Sequence, residues 1–186
     1  MKTPLIVNHL LAIAIITIVM AVIYLTAQQI YRTNLDDPQV QLVQDTEMKL
    51  NQGVPLTSIL PLDTVQINES LRPFIVLYDN NGMPIQSTGF LDKYMPRVPK
   101  GVLEFTKAHD EYRVTWQPRK GVRMAMVIRY TNYPPVAFIA AGRSMQEVEN
   151  RSLRMGSLVF KAWVICLLLV IISAITLSHL SIKKQI

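Results

Sequence analysis

Three histidines, one cysteine and a few arginine–aromatic pairs are the residues best suited to chemistry in this 186-residue chain. His9 and His179 lie in apolar runs at the two ends, and only His109 falls in the polar middle. None has a second histidine or a carboxylate at metal-ligand spacing, and no H-x-x-x-H occurs, so no metal site is expected. Neither G-x-S-x-G nor a glycine-rich phosphate loop is present. A Ser-His-Asp arrangement would have to converge on His109, the one catalytic constellation the composition leaves open. Cys166, the single cysteine, sits inside an apolar run, which excludes an intrachain disulfide and fits a small buried hydrophobe. No catalytic residue, no cofactor and no enzymatic activity is expected.

The remaining candidates sit on two strand-like stretches. Strict alternation over Glu111–Gln117 places Arg113, Thr115 and Gln117 on one face and Tyr112, Val114 and Trp116 on the other. On the next stretch Arg123, Ala125, Val127 and Arg129 oppose Met124, Met126, Ile128 and Tyr130.

These stretches belong to a series of elements with clear punctuation. Asp37 as N-cap and Pro38 in the first turn predict a helix over Gln39–Gln52, stopped by Gly53. Val54-Pro55 and Leu60-Pro61 mark an irregular stretch, and Asp63 opens a second short helix ending before Pro73. Phe74–Tyr78 and Met83–Ser87 form a hairpin around Asp79-Asn80-Asn81-Gly82. Pro96 and Pro99 bracket a loop before a helix over Val102–His109. Strands follow over Glu111–Gln117, Val122–Tyr130 and Val136–Gly142, with turns at Pro118–Gly121 and Asn132–Pro135. Ser144-x-x-Glu147 matches a capping box opening a final helix. The sum is an α+β domain: a five-stranded antiparallel sheet with helices on one side.

The ends belong to a membrane. Leu10–Leu25 carries no charge, and neither does Ala162–Leu177, which begins just after Lys161 and contains Trp163. About 20 apolar residues cross a hydrocarbon core of about 30 Å, and backbone groups in lipid must be paired within a helix. Two terminal transmembrane helices are therefore expected, over 1–27 and 157–186, flanking an extracytoplasmic domain over 28–156. The rival for the first is a cleaved signal peptide. A cut after Ala27 would put Leu25 where a small residue is required, which favours a retained anchor. Lys2 at one end and Lys183-Lys184 at the other predict both termini cytoplasmic in a multi-pass membrane protein, with the middle facing a periplasm or the cell exterior.

The net charge is +6, but residues 28–156 hold 15 Lys and Arg against 13 Asp and Glu, with no basic run. Nucleic acid is therefore not an expected partner.

Two segments then carry a likeness. Pro73-Phe74-Ile75-Val76-Leu77-Tyr78-Asp79 with its Asn80-Asn81-Gly82 turn and Gln86-Ser87-Thr88-Gly89 is one. Ala137-Phe138-Ile139-Ala140-Ala141-Gly142-Arg143-Ser144, feeding a helix into the membrane, is the other. With the order of elements between two membrane helices, Asp37–Ser157 resembles the single-Cache, PAS-like extracytoplasmic sensor domains of bacterial histidine kinases and chemoreceptors. In such sensors the ligand lies between the sheet and the loop before the third strand. The resemblance therefore implies a pocket lined by Trp116, Met124, Met126 and Tyr130, with Arg113 or Arg129 anchoring an anion. By residue type alone, Trp116 and the two methionines equally suit a core, and the arginines a solvated face. Receptors of this kind continue into a cytoplasmic transmitter region. Such a region is expected to be lacking here, so output would pass to partner helices. The expected partners are the lipid bilayer, a membrane protein or a second copy of the chain, and a small-molecule ligand. The alternative is a membrane-anchored scaffold or accessory subunit of an envelope complex, with no ligand.

Overall fold

A computed structural model describes residues 3–33 and 36–183. Lys2 and Lys184, on which the expected orientation partly rests, lie outside the described residues. Two compact units emerge, one of residues 1–31 with 150–186 and one of residues 32–149.

The first unit is a helix pair, α1 (Thr3–Thr33) and the membrane part of α5 (Gln146–Lys183). Both are long and apolar enough to cross a membrane, which supports a membrane protein. Two spans are found among the described residues, and nothing beyond two. The helices run antiparallel. Gly156 lies against the Tyr24 ring, the Trp163 indole donates to Thr17 Oγ1 at 3.1 Å, and His9 Nε2 meets Ser173 Oγ at 3.2 Å. Hydrogen bonds between such side chains hold helices together where the surroundings offer no other partners. The small residues Thr17 and Ala21, and Ala174 and Ser178, line the clefts between the two helices.

The second unit is built on an antiparallel sheet of five strands in the order β3-β2-β7-β6-β5. Its strands are β2 (Phe74–Tyr78), β3 (Pro84–Ser87), β5 (Glu111–Arg119), β6 (Val122–Tyr133) and β7 (Val136–Ser144). The last strand of the chain is the central one, pairing β2 through Phe74↔Gly142 and β6 through Ile128↔Ala140. The Asp79 turn arises from its residues. The carboxylate accepts from the Asn81 and Met83 N–H groups at 2.9 and 2.7 Å, and Gly82 takes φ +78°.

Helices cover both faces of this sheet, not one as expected. Helix α2 (Asp37–Asn51) packs Val43 and Leu50 on Ile75, Leu77, Val127, Ile139 and Ala141. On the other face, Leu103 of α4 (Lys100–His109) joins Ile67, Phe74, Val76, Met124, Met126 and Ile128. The reason is visible in β2, where all five residues are buried. A strand apolar on both faces needs a layer on each side.

Other differences are local. Asp36 rather than Asp37 precedes α2 as its N-cap, and its side chain makes no capping bond. No helix starts at Asp63. The short helix α3 is Leu56–Ile59, inside the stretch expected to be irregular. Beyond Asp63 the chain instead forms β1 (Val65–Gln66), which pairs in parallel with β4 (Gly89–Phe90). Ser144 Oγ accepts from the Gln146 N–H at 3.3 Å, while Glu147 pairs with the Arg143 guanidinium at 3.2 Å. α5 then runs unbroken for 38 residues, roughly 57 Å at 1.5 Å per residue.

Phe74 locks three strands together. Its ring, 1% exposed, fills the space beside two glycines, so that a Cβ on Gly89 or on Gly142 would come within 2.5 Å of it. Gly142→Ala is expected to lower stability by about 1–3 kcal/mol through overpacking. Gly101→Ala, in α4 with nothing within 4 Å of the added carbon, is expected to raise it by about 0.5–1 kcal/mol. Chemical denaturation of the two variants in detergent checks both signs.

Candidate functional site

The six residues singled out by sequence divide between opposite faces of the sheet. Arg113 and Arg129 lie on the α2 face. Trp116, Met124, Met126 and Tyr130 lie on the α4 face, where all four belong to or pack against one core cluster. No single site gathers them.

The arginines are engaged by the protein's own carboxylates. Arg129, with 23% of its side chain exposed, donates to Glu47 on α2 at 2.9 Å and to Glu111 on β5. Arg113 Nε donates to the other oxygen of Glu111 at 3.0 Å. Helix, edge strand and inner strand are thereby joined by one ionic network. An incoming anion at Arg129 would have to displace two carboxylates.

The methionines are core. Met124 and Met126 are each 1% exposed, between β5 and β7 partners that leave no access from solvent. Tyr130 meets Phe138 edge-on at 5.5 Å and carries Lys107 over its ring at 5.5 Å.

Trp116 alone opens onto a concave surface. A cleft of about 720 Å³ lies between the 90–97 segment, Met83-Pro84 at the start of β3, and Trp116 and Pro118 of β5. It sits between the sheet and the segment that leads from β4 into α4. The segment is shaped by a tight hairpin. Leu91 and Tyr94 exchange backbone hydrogen bonds at 2.9 Å, while Asp92 and Lys93 take φ +51° and +73°. Positive φ at two consecutive non-glycine residues is the geometry of a type I′ turn and is costly for lysine. Asp92 Oδ2 accepts from Arg119 at 2.7 Å and ties the turn to the end of β5. Behind it, the Tyr78 hydroxyl donates to Pro96 O at 2.9 Å and holds the base of the loop to the sheet.

Sequence reasoning gives 90–95 no element and sees only a loop bracketed by Pro96 and Pro99. Tyr94, Met95, Lys93 and Arg97 carry no periodic pattern. The one signal that points to them is the clustering of aromatic, methionine and basic residues in a turn between Phe90 and Pro99.

No group of three metal-ligating side chains occurs among the described residues. His109 Nδ1 donates to Phe105 O at 3.0 Å, and its ring stacks on the Phe105 ring at 4.0 Å.

Two carboxyls beside the arginine network titrate in opposite directions. Burial would raise Glu111, but the hydrogen bonds from Arg129 and Arg113 outweigh it and hold the carboxyl below its ordinary 4.5. Its contribution to stability is complete above 4.5 and is lost as pH falls through the lowered folded value. Asp36 is raised above its ordinary 3.8, chiefly by burial, against the pull of Arg113. Stability on its account is therefore lost as pH rises from 3.8 through the raised folded value. At pH 7 Glu111→Gln is expected to lower stability and to flatten the acid limb of the profile, whereas Asp36→Asn is expected to raise it. Arg129→Met, which strands Glu47 and Glu111, should cost about 1–3 kcal/mol. Urea titrations between pH 3 and 7 read all three.

Comparison with protein-family models, with curated proteins and with solved structures finds no match for this chain.

Proposed function

We propose that the protein is a non-catalytic bacterial membrane sensor or accessory protein. Its central domain lies outside the cytoplasmic membrane with both termini inside, and its output passes to partner membrane helices. The observation that carries this reading is the way α5 leaves the sheet. Arg123, at the start of β6, pairs with Glu149, and its carbonyl accepts from the Met145 N–H at 2.9 Å. Arg143, at the end of β7, pairs with Glu147 and donates to Leu71 O at 3.2 Å. The first turns of one long helix are thus held to two neighbouring strands. A displacement of those strands would be carried along α5, provided that whatever binds the domain has different affinities for the two states.

The element order and the five-stranded antiparallel sheet support a single-Cache, PAS-like sensor domain. Of the residues that the resemblance assigns to a ligand pocket, Trp116 lines a cleft, and this is the support for a small-molecule site. A second reading, a membrane-anchored accessory subunit that binds another protein, is favoured by Tyr94, Met83 and Met95, which are 78%, 45% and 36% exposed. Large apolar side chains left open on one patch suit a partner surface.

The test is a thermal-shift screen of the full chain in lipid nanodiscs against amino acids, carboxylates, polyamines and nucleobases. A ligand at 100 times its Kd is expected to add about 2.7 kcal/mol, and Trp116→Ala to abolish the shift. A screen without a shift, on folded protein, would remove the small-molecule sensor reading and leave the accessory one. Protection of the central domain from protease in intact cells, and its digestion in spheroplasts, checks the orientation.

A further inference from the structure

We infer that the concave surface beside Trp116 docks an acidic segment of a partner polypeptide that inserts an apolar side chain between Tyr94 and Trp116. The inference deepens the accessory reading above and rests on the central domain being a binding module.

The shape speaks first. A pocket for a small molecule buries most of its ligand, enclosing it in apolar walls. Here the apolar residues stand open, with Tyr94 78%, Met83 45% and Met95 36% exposed, while Trp116 forms a half-buried floor. Tyrosine, tryptophan and methionine are the side chains enriched at the centre of protein interfaces. Methionine also adapts to irregular partners. The surface is concave rather than protruding, because Met83 and Pro84 come from one edge strand and Trp116 and Pro118 from the other. That form receives an inserted side chain better than it meets a flat bilayer.

The presentation of Tyr94 is independent evidence. The turn that carries it holds Asp92 and Lys93 at positive φ. Strain of this kind persists only where surrounding structure enforces it. The enforcement is the Asp92–Arg119 ion pair together with the reciprocal Leu91–Tyr94 backbone bonds. The turn so held leaves Tyr94 78% exposed.

Charge selects the partner. Asp92, the one carboxylate of the lining, is already matched by Arg119. Lys93 and Arg97 are exposed on the rim, and no carboxylate of the described residues pairs with either. The rim is therefore net positive, and an acidic segment is the complementary occupant.

The experiment uses the full chain with Trp163→Phe in phosphatidylcholine nanodiscs, leaving Trp116 as the sole tryptophan. A random peptide library displayed on phage is selected against it, and enriched peptides are measured by Trp116 fluorescence. The expected result is enrichment of peptides that combine Asp or Glu with an aromatic or aliphatic residue. Binding should weaken about tenfold or more with Tyr94→Ala, and likewise with Lys93→Glu plus Arg97→Glu, and should fall as salt rises. Enriched peptides without acidic residues, or binding indifferent to those variants, would overturn the inference. A Trp116 response to phosphatidylglycerol nanodiscs with no peptide enriched would also overturn it, assigning the surface to lipid. A shift by small carboxylates alone would sink this inference while leaving the sensor reading intact.

Discussion

Everything in the central domain depends on β7 taking the middle of the sheet. It is the last strand to be made, yet β2 and β6 are joined only through it. Its seven buried residues combine the large Val136, Phe138 and Ile139 with four small ones, Ala137, Ala140, Ala141 and Gly142. Small side chains let the two helical layers approach the sheet from both sides, and the glycine admits the Phe74 ring. A bulkier strand would separate those layers. The strand that completes the sheet is followed directly by α5, whose first residues, up to Glu149, belong to the same unit as the sheet.

Electrostatics reinforces this arrangement at two places and is left uncompensated at a third. The Glu47–Arg129–Glu111–Arg113 network ties α2 to the sheet. The Arg123–Glu149 and Arg143–Glu147 pairs tie the sheet to α5. In these networks each guanidinium faces a carboxylate of the same domain. Lys93 and Arg97 do not, and they stand on the rim of a concave surface where Tyr94 and two methionine side chains also remain open. Charges that are matched serve the fold, and charges without an internal partner are free to meet something else.

Much of the fold was legible in the residues. The Asp79–Gly82 turn, the alternation from Glu111 to Gln117 and the start of the last helix near Ser144 are local signals, set by φ preferences and by period. Asp63 misled because an aspartate before a polar stretch caps a helix only if a helix comes next, and β4 offered Val65 and Gln66 a strand partner instead. The two-sided covering of the sheet was written in Phe74–Tyr78, which is apolar at every position, but a short apolar run does not say what lies on each face. The candidate cleft was the least legible part. Of its lining only Trp116 was singled out beforehand; Met83 and Pro84 fall in the expected second strand of the hairpin, Pro118 in an expected turn, and the remainder in a segment with no periodic pattern.

By itself, then, the sequence determined what is local or set by solvent. Two apolar stretches must become helices because lipid cannot satisfy a backbone, and the turns and strands between them arise from glycine, proline, aspartate and alternation. Tertiary structure alone decided which charges are paired and which apolar residues remain outside. It put Arg129 between Glu47 and Glu111, partners 82 and 18 residues away, and so occupied a cation that sequence offered as an anchor. It buried Met124 and Met126 and brought Met83, Tyr94 and Trp116 around one cleft. The physical reason is that pairing and exposure depend on distances between residues remote in the chain, which no local propensity encodes.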